Sequence, residues 1–264
     1  MPMSSNVMQV AKTGLNAQQA RIQTISNNLA NVNTTGFKRD RANFESLLYQ
    51  TWRPAGSQTS EATAQTSPTT LGTGVRMVST EKMYTQGSLT TTDNALDMAI
   101  DGKGFFQVLM PDGRIGYTRN GTFSQNAEGV LTTSSGYVVQ PEIQIPADAM
   151  SITISRDGII SVTLPDGVEA QEVGQLTLAQ FANPRGLEPV GETLVIETTA
   201  SGAPVIGAPL ADGAGSLMQG ALETSNVNVV QELVEMIEAQ RAYEINSRSI
   251  SASDEMMSYL ANKL

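Results

Sequence analysis

The sequence predicts an α+β chain of several parts. Long N- and C-terminal helices pair as a coiled coil, an extended Ser/Thr-rich connector follows the first helix, and an all-β domain fills the centre. Three observations predict it. Apolar residues recur every seven positions at both ends. Of the 36 residues from Ser57 to Thr92, 16 are Ser or Thr. From Leu96 onward, short alternating runs are separated by Asp-Gly and Asn-Gly turns at hairpin spacing.

At the N-terminal end, Met8, Leu15, Ile22 and Leu29 form one row, with Ala11, Gln18, Ile25 and Val32 at the three/four offset. A helix of about 30 residues is roughly 45 Å long and cannot bury its own stripe, so it needs a partner. Lys12 and Arg21 are its charges, with no acid before Asp40. The helix is expected to stop in Asn31–Gly36, where Asn, Thr and Gly compete with helical backbone. Phe37, Phe44, Leu47 and Leu48 are expected to pack as a short turn or helix.

The C-terminal helix opens at Asn228, with Gln231 three residues on in the manner of a capping box. Met236, Tyr243, Ile250, Met257 and Leu264 recur at seven. Ile245, Ala252 and Tyr259 make a second row, and Ala242, Ser249 and Met256 a third. Such a stripe is wider than a two-helix seam requires and calls for more than one neighbour. From Glu223 to the end there are seven acids and three bases, against six bases and two acids in the first 60 residues. Opposite charge favours pairing of the two ends. The expected interface residues are Leu15, Ile22, Ile25 and Leu29 against Met236, Tyr243, Ile250 and Met257.

In the centre, Gly104–Met110 reads as a strand, Pro111-Asp112-Gly113 as its turn, and 114–119 as the return. Further strands are expected at 130–133, 137–140, 151–155, 159–164, 168–173, 175–181 and 193–197, with turns at Asp157-Gly158 and Asp166-Gly167. A Gly/Ala/Pro-rich stretch leads back to the last helix. The expected parts are therefore 1–36, 37–95, 96–200, 201–222 and 223–264.

Composition removes several functions. There is no Cys and no His, so disulfides, thiolate chemistry and a Ser-His-Asp triad are absent. The net charge of −10 argues against nucleic acid, which needs basic density. Lys38-Arg39-Asp40-Arg41 is the one basic cluster and reads as a solvated or subunit-facing patch. No run of about 18 apolar residues exists, so no membrane insertion is expected, and no signal peptide is visible. Asp101-Gly-Lys-Gly104 lacks the strand–loop–helix setting of a phosphate loop. The aspartates before Gly are explained by turns, and no EF-hand spacing occurs. No catalytic residue, cofactor or metal is expected.

Two segments resemble the bacterial flagellar rod and hook axial proteins. The first is Ser26-Asn-Asn-Leu-Ala-Asn-Val-Asn-Thr-Thr-Gly-Phe-Lys38, with Asn27, Asn28, Leu29, Asn31, Gly36 and Phe37. The second is Glu238-Ala-Gln-Arg-Ala-Tyr-Glu-Ile-Asn-Ser247, with Gln240, Arg241, Tyr243 and Asn246, followed by Asp254-Glu-Met-Met257. Leu47–Thr51, Gly72–Val75, Gly104–Val108, Ser151–Ile154 and Glu223–Val229, together with the length, are similar to the distal rod members of that family. The resemblance implies a non-enzymatic subunit that polymerises with itself into a rigid hollow helical shaft. That shaft would carry torque from motor to hook across the periplasm and pass export substrates through its lumen. It implies as partners the proximal rod proteins, the hook protein, the peptidoglycan and outer-membrane rings, the flagellar export apparatus and the rod cap. It also implies export through the flagellar type III route. In the distal members a segment after the first helix is associated with stiffness; Tyr49 to Thr70 is the counterpart here. The alternatives are a proximal rod or hook subunit of the same family, or a secreted β-domain adhesin with oligomerising helices.

Overall fold

The computed structural model describes residues 2–60, 63–64, 66–165 and 170–262. The expected turn at 166–167, the start of the strand expected at 168–173 and Leu264 lie outside them. The chain forms two units. One comprises residues 1–29, 40–81 and 229–264; the other comprises 30–39 and 82–228. The described residues are α+β, with long helices at the two ends and β structure between.

In the first unit, helix α1 spans Pro2–Ala30 and helix α2 spans Val229–Asn262. The α1 helix gives way to turns through Gly36, where the polar residues Asn31, Asn33 and Thr34 favour local backbone contacts. The α2 helix begins directly after Asn228. Between the helices in sequence lie nested strand pairs. Asp40–Ser46 pairs with Val75–Lys82, Gln50–Arg53 with Thr69–Leu71, and Gln58–Ser60 with Thr63–Ala64. The turn or helix expected around Phe44 is thus a strand. Its partner lies some 35 residues downstream, and long-range pairing of this kind overrides local pattern.

In the second unit, seven strands form an antiparallel sheet. Its order is Phe123–Gln125, Leu131–Thr133, Val138–Gln140, Phe106–Leu109, Ile115–Thr118, Leu194–Ile196 and Glu188–Gly191. Asp112 makes the hairpin between the fourth and fifth of these. Its carboxylate accepts the backbone N–H of Arg114 at 3.1 Å, and Gly113 takes φ +79. A three-stranded sheet follows from Ser151–Ile154, Ile159–Thr163 and Gln171–Gln175, with Gly158 at φ +87 in its first turn.

Residues 200–223 return through three further strands. Val205–Gly207 pairs with Leu178–Gln180, Ser216–Gln219 with Met98–Asp101, and Ala221–Glu223 with Leu89–Thr91. The core gathers Met98, Ile100, Phe106, Val108, Leu131, Ile145, Ile160, Leu176 and Leu217, with Phe106 edge-on to Phe123 at 5.0 Å. A second cluster joins Phe105, Tyr117 and Phe181 through edge-to-face rings and includes Val195.

Candidate functional site

The two helices of the first unit run antiparallel, as three contacts along them show. A Cβ added at Gly14 would lie 3.1 Å from Nδ2 of Asn246, so only Gly admits that approach without a shift. Arg21 lies 3.8 Å from both Glu235 and Glu238. Asn28 donates to Glu232 Oε2 at 3.2 Å. Numbers rise along α1 as they fall along α2.

Asn28 is the most constrained of these residues. Its amide oxygen accepts the backbone N–H of Asp40 at 2.8 Å, and its Nδ2 donates to the Asp40 carbonyl at 2.9 Å. The side chain thereby pairs with Asp40 as a neighbouring strand would, while also meeting Glu232. Asn27 reaches the Asp40 carboxylate at 3.2 Å. A shorter or purely apolar side chain at position 28 would leave buried polar groups unmatched. Asn28→Ala is expected to cost about 1–3 kcal/mol, read as a shift in urea midpoint at constant slope.

Of the interface residues expected from the heptads, Ile25 is buried, while Leu15, Ile22, Leu29, Met236 and Ile250 are half-buried. Tyr243 and Met257 are exposed, as are Leu233, Val234, Ile237, Ile245, Met256 and Tyr259. The most buried line of α2 is Glu232, Ala239, Asn246 and Ser253, itself a seven-residue repeat. Sequence reading did not single that line out, because its members are small or polar and an apolar stripe hides them. Gln240 and Arg241 are exposed.

The remaining motif residues lie in the second unit. Thr34 donates to the Asn31 side chain at 3.1 Å. Gly36 sits at φ +69 with its N–H on the Glu223 carbonyl at 2.8 Å. A Cβ there would come within 2.5 Å of the Asn120 nitrogen, which excludes every other residue. Phe37 is buried under the Lys82 ammonium, 5.0 Å from the ring centroid.

Here residues 36–39, 83–88 and 223–226 are laced into a junction. Asn226 accepts from the Arg39 N–H at 2.7 Å and donates to the Met83 carbonyl at 2.7 Å and the Thr85 carbonyl at 3.0 Å. Met83 N–H closes on the Arg39 carbonyl, and Thr224 N–H on that of Ser88. At its centre stands Glu223, whose side chain is 0% exposed. Its carboxylate takes Lys38 Nζ at 2.5 Å, Arg119 Nη1 at 3.4 Å and the Gly87 N–H at 2.8 Å. Lys38 also donates to the Thr85 carbonyl, and Arg119 to the Gly102 carbonyl, each at 2.8 Å. Burial pulls the Lys38 ammonium and the Arg119 guanidinium below their ordinary values, and Glu223 opposes that fall.

Lys38, read from sequence as a solvated or subunit-facing charge, is 3% exposed. Its partner lies 185 residues away, so nothing local marked it. Among the described residues no group of three or more acidic side chains is placed to hold a metal ion. No helix among them is long and apolar enough to cross a membrane.

Comparison with known proteins agrees with the motifs. Residues 8–38 match the family described as flagella basal body rod protein, residues 99–162 the flagellar hook protein FlgE/F/G D1 domain, and residues 218–264 the flagellar basal body rod FlgEFG protein C-terminal region. The chain is 55% identical over 252 residues to the flagellar basal-body rod protein FlgG of Buchnera aphidicola from Schizaphis graminum, covering 96% of this chain and 97% of that one. It is 47% identical to the protein of that name from Caulobacter vibrioides and 37% identical to that from Bacillus subtilis, in each case over 95% of this chain and 96% of the relative. With such identity along nearly its whole length, this chain belongs to the flagellar basal-body rod protein family.

Proposed function

We propose that this protein is the structural subunit of the flagellar distal rod, a non-enzymatic protein that polymerises into a rigid hollow helical shaft. The observation that carries the reading is the exposed apolar surface of α2. One line of that helix is buried in the first unit, while Leu233, Val234, Ile237, Ile245, Met256 and Tyr259 face solvent. An exposed apolar surface of this extent marks an interaction face. Repetition of one heterologous contact that does not close into a ring gives a helical polymer. The coiled-coil pairing of α1 with α2 rests on the antiparallel contacts at Gly14, Arg21 and Asn28. The expected interface side chains, Leu15, Ile22, Ile25 and Leu29 with Met236, Tyr243, Ile250 and Met257, then divide between that seam and neighbouring copies.

In this reading the five expected parts, 1–36, 37–95, 96–200, 201–222 and 223–264, serve as arm, connector, outer β domain, return and arm. The shaft spans periplasm to outer membrane. It joins the proximal rod proteins to the hook protein, turns within the peptidoglycan and outer-membrane rings, and grows under the rod cap from chains delivered by the flagellar export apparatus.

Electron microscopy of basal bodies from cells lacking this chain tests the reading. Rods that end before the outer rings, restored by supplying the chain, are expected; full-length rods in its absence would overturn it.

The segment from Tyr49 to Thr70 is the proposed stiffener. Its described residues belong to the nested strand pairs of the first unit, with Tyr49 and Trp52 exposed within it and Leu48 and Leu71 exposed on either side. These side chains suit contact with a neighbouring subunit. Deleting residues 49–70 is expected to give a polymer that bends more readily, measured as a shorter persistence length in electron micrographs. An unchanged persistence length would sink the assignment.

A further inference from the structure

We propose that Thr13 and Gly74 form the joint that fixes how the nested strands of the first unit lie along α1. It rests on the reading of Tyr49 to Thr70 as the stiffener and names the residues that position that segment.

Three polar contacts tie the strands to α1 in order. Asn28 holds the backbone of Asp40, Thr13 meets Val75, and Asn6 Nδ2 donates to Gln50 Oε1 at 3.3 Å. From Asn28 to Asn6 a helix rises about 33 Å, and from Asp40 to Gln50 extended chain covers about the same distance. The middle contact keeps the match. Leu47 N–H closes on the Gly74 carbonyl, so Leu47 marks the point opposite Val75. From Asn28 to Thr13 a helix rises about 22 Å, and from Asp40 to Leu47 extended chain covers about 23 Å. With commensurate spacings, the strands run beside α1 as a splint.

The middle contact is the most constrained. The Thr13 hydroxyl donates to the Val10 carbonyl at 2.7 Å, which leaves its lone pairs to accept the Val75 N–H at 3.3 Å. Gly74 stands at φ +119, and a Cβ there would lie 2.1 Å from Thr13 Oγ1. The strand reaches the hydroxyl because position 74 has no side chain. Its carbonyl takes Leu47 N–H at 2.8 Å, and the Thr73 hydroxyl donates to the Leu48 carbonyl at 2.6 Å. Both strands are thus held where α1 is met.

Beyond the joint, packing is loose. A cavity of about 400 Å³ is lined by Val7, Val10 and Ala11 of α1 and by Leu71 and Gly72 of the strands. Close-packed apolar contact does not set the direction of the strands there, and the polar joint does.

Trp52, the one tryptophan of the chain, lies just past the joint in Gln50–Arg53. Its time-resolved fluorescence anisotropy in the purified full-length chain reports how firmly the strands are held. Thr13→Val keeps the shape and removes the acceptor, Gly74→Ala adds the clashing Cβ, and Thr13→Ser keeps the hydroxyl. Thr13→Val and Gly74→Ala are expected to widen and speed the local motion of Trp52 and to shorten the persistence length of the polymer. Thr13→Ser is expected to do neither, a rescue that a merely structural role would not give. Parental anisotropy in both Thr13→Val and Gly74→Ala overturns the proposal. Freed Trp52 with unchanged persistence length supports the joint and overturns the stiffener reading, so the two failures are distinguishable.

Discussion

Glu223→Gln is expected to destabilise the second unit by about 3–5 kcal/mol, because it removes the carboxylate that serves two buried cations. Gln keeps the volume but turns one accepting oxygen into an NH2 donor that faces another donor, so the loss reports charge and a lost acceptor and not a cavity. Lys38 and Arg119 would remain 3% and 6% exposed with no anion beside them. Urea unfolding followed by circular dichroism measures it. Adding Lys38→Met to Glu223→Gln is expected to restore part of the loss, and the double-mutant cycle gives the coupling directly. A Glu223→Gln chain with the parental midpoint would show that the cluster contributes nothing net.

The same cluster sets a pH dependence. Burial lowers the Lys38 pKa, so the unfolded chain keeps that proton to higher pH than the folded one. The Lys38 contribution to stability therefore rises with pH between its folded value and the ordinary 10.5. In Lys38→Met this rise is expected to vanish.

Ile25→Asp is expected to abolish incorporation into rods altogether. Ile25 is 3% exposed in α1, and an ionised carboxylate placed there must give up its hydration. The helices of the first unit would separate, and cells carrying the variant would be non-motile with rods that stop short. The second unit contains none of α1 beyond Ala30, so its urea transition should persist in the purified variant. Normal swimming by Ile25→Asp cells would mean that α1 is not part of the growing tip.

Much of the fold was legible. The heptads marked both helices because a 3.6-residue period leaves a clear trace over many turns. Asp112-Gly113 marked a hairpin because only residues tolerant of φ > 0 close such a turn. The motif residues Asn28, Gly36 and Phe37 stood out by resemblance, and the structure supplies their reasons: a strand-like pairing, a backbone approach that excludes a Cβ, and a ring under a cation.

The strands at 205–207 and 216–219 were not legible. A Gly- and Pro-rich stretch reads as linker until its partners, at 178–180 and 98–101, are known. The Glu223 junction was hidden for the same reason, since Lys38, Arg119 and Glu223 come from three distant segments. The buried line Glu232–Ala239–Asn246–Ser253 escaped because small and polar side chains leave no hydrophobic signal.

The junction also bears on the order in which the chain folds. Asn28 and Glu232 stand 204 residues apart in sequence, so direct pairing of the helices in an unfolded chain closes a very long loop. Once Gly36 is tied to Glu223, the remaining ring is only roughly 20 residues, which lowers the entropic cost of closure by about 2 kcal/mol. Residues 30–39 and 82–228 thus act as a template that turns a remote encounter into a nearly local one. Helix α1 thus meets α2, which lies some 200 residues later in the chain, with the two segments that lead into them already held close.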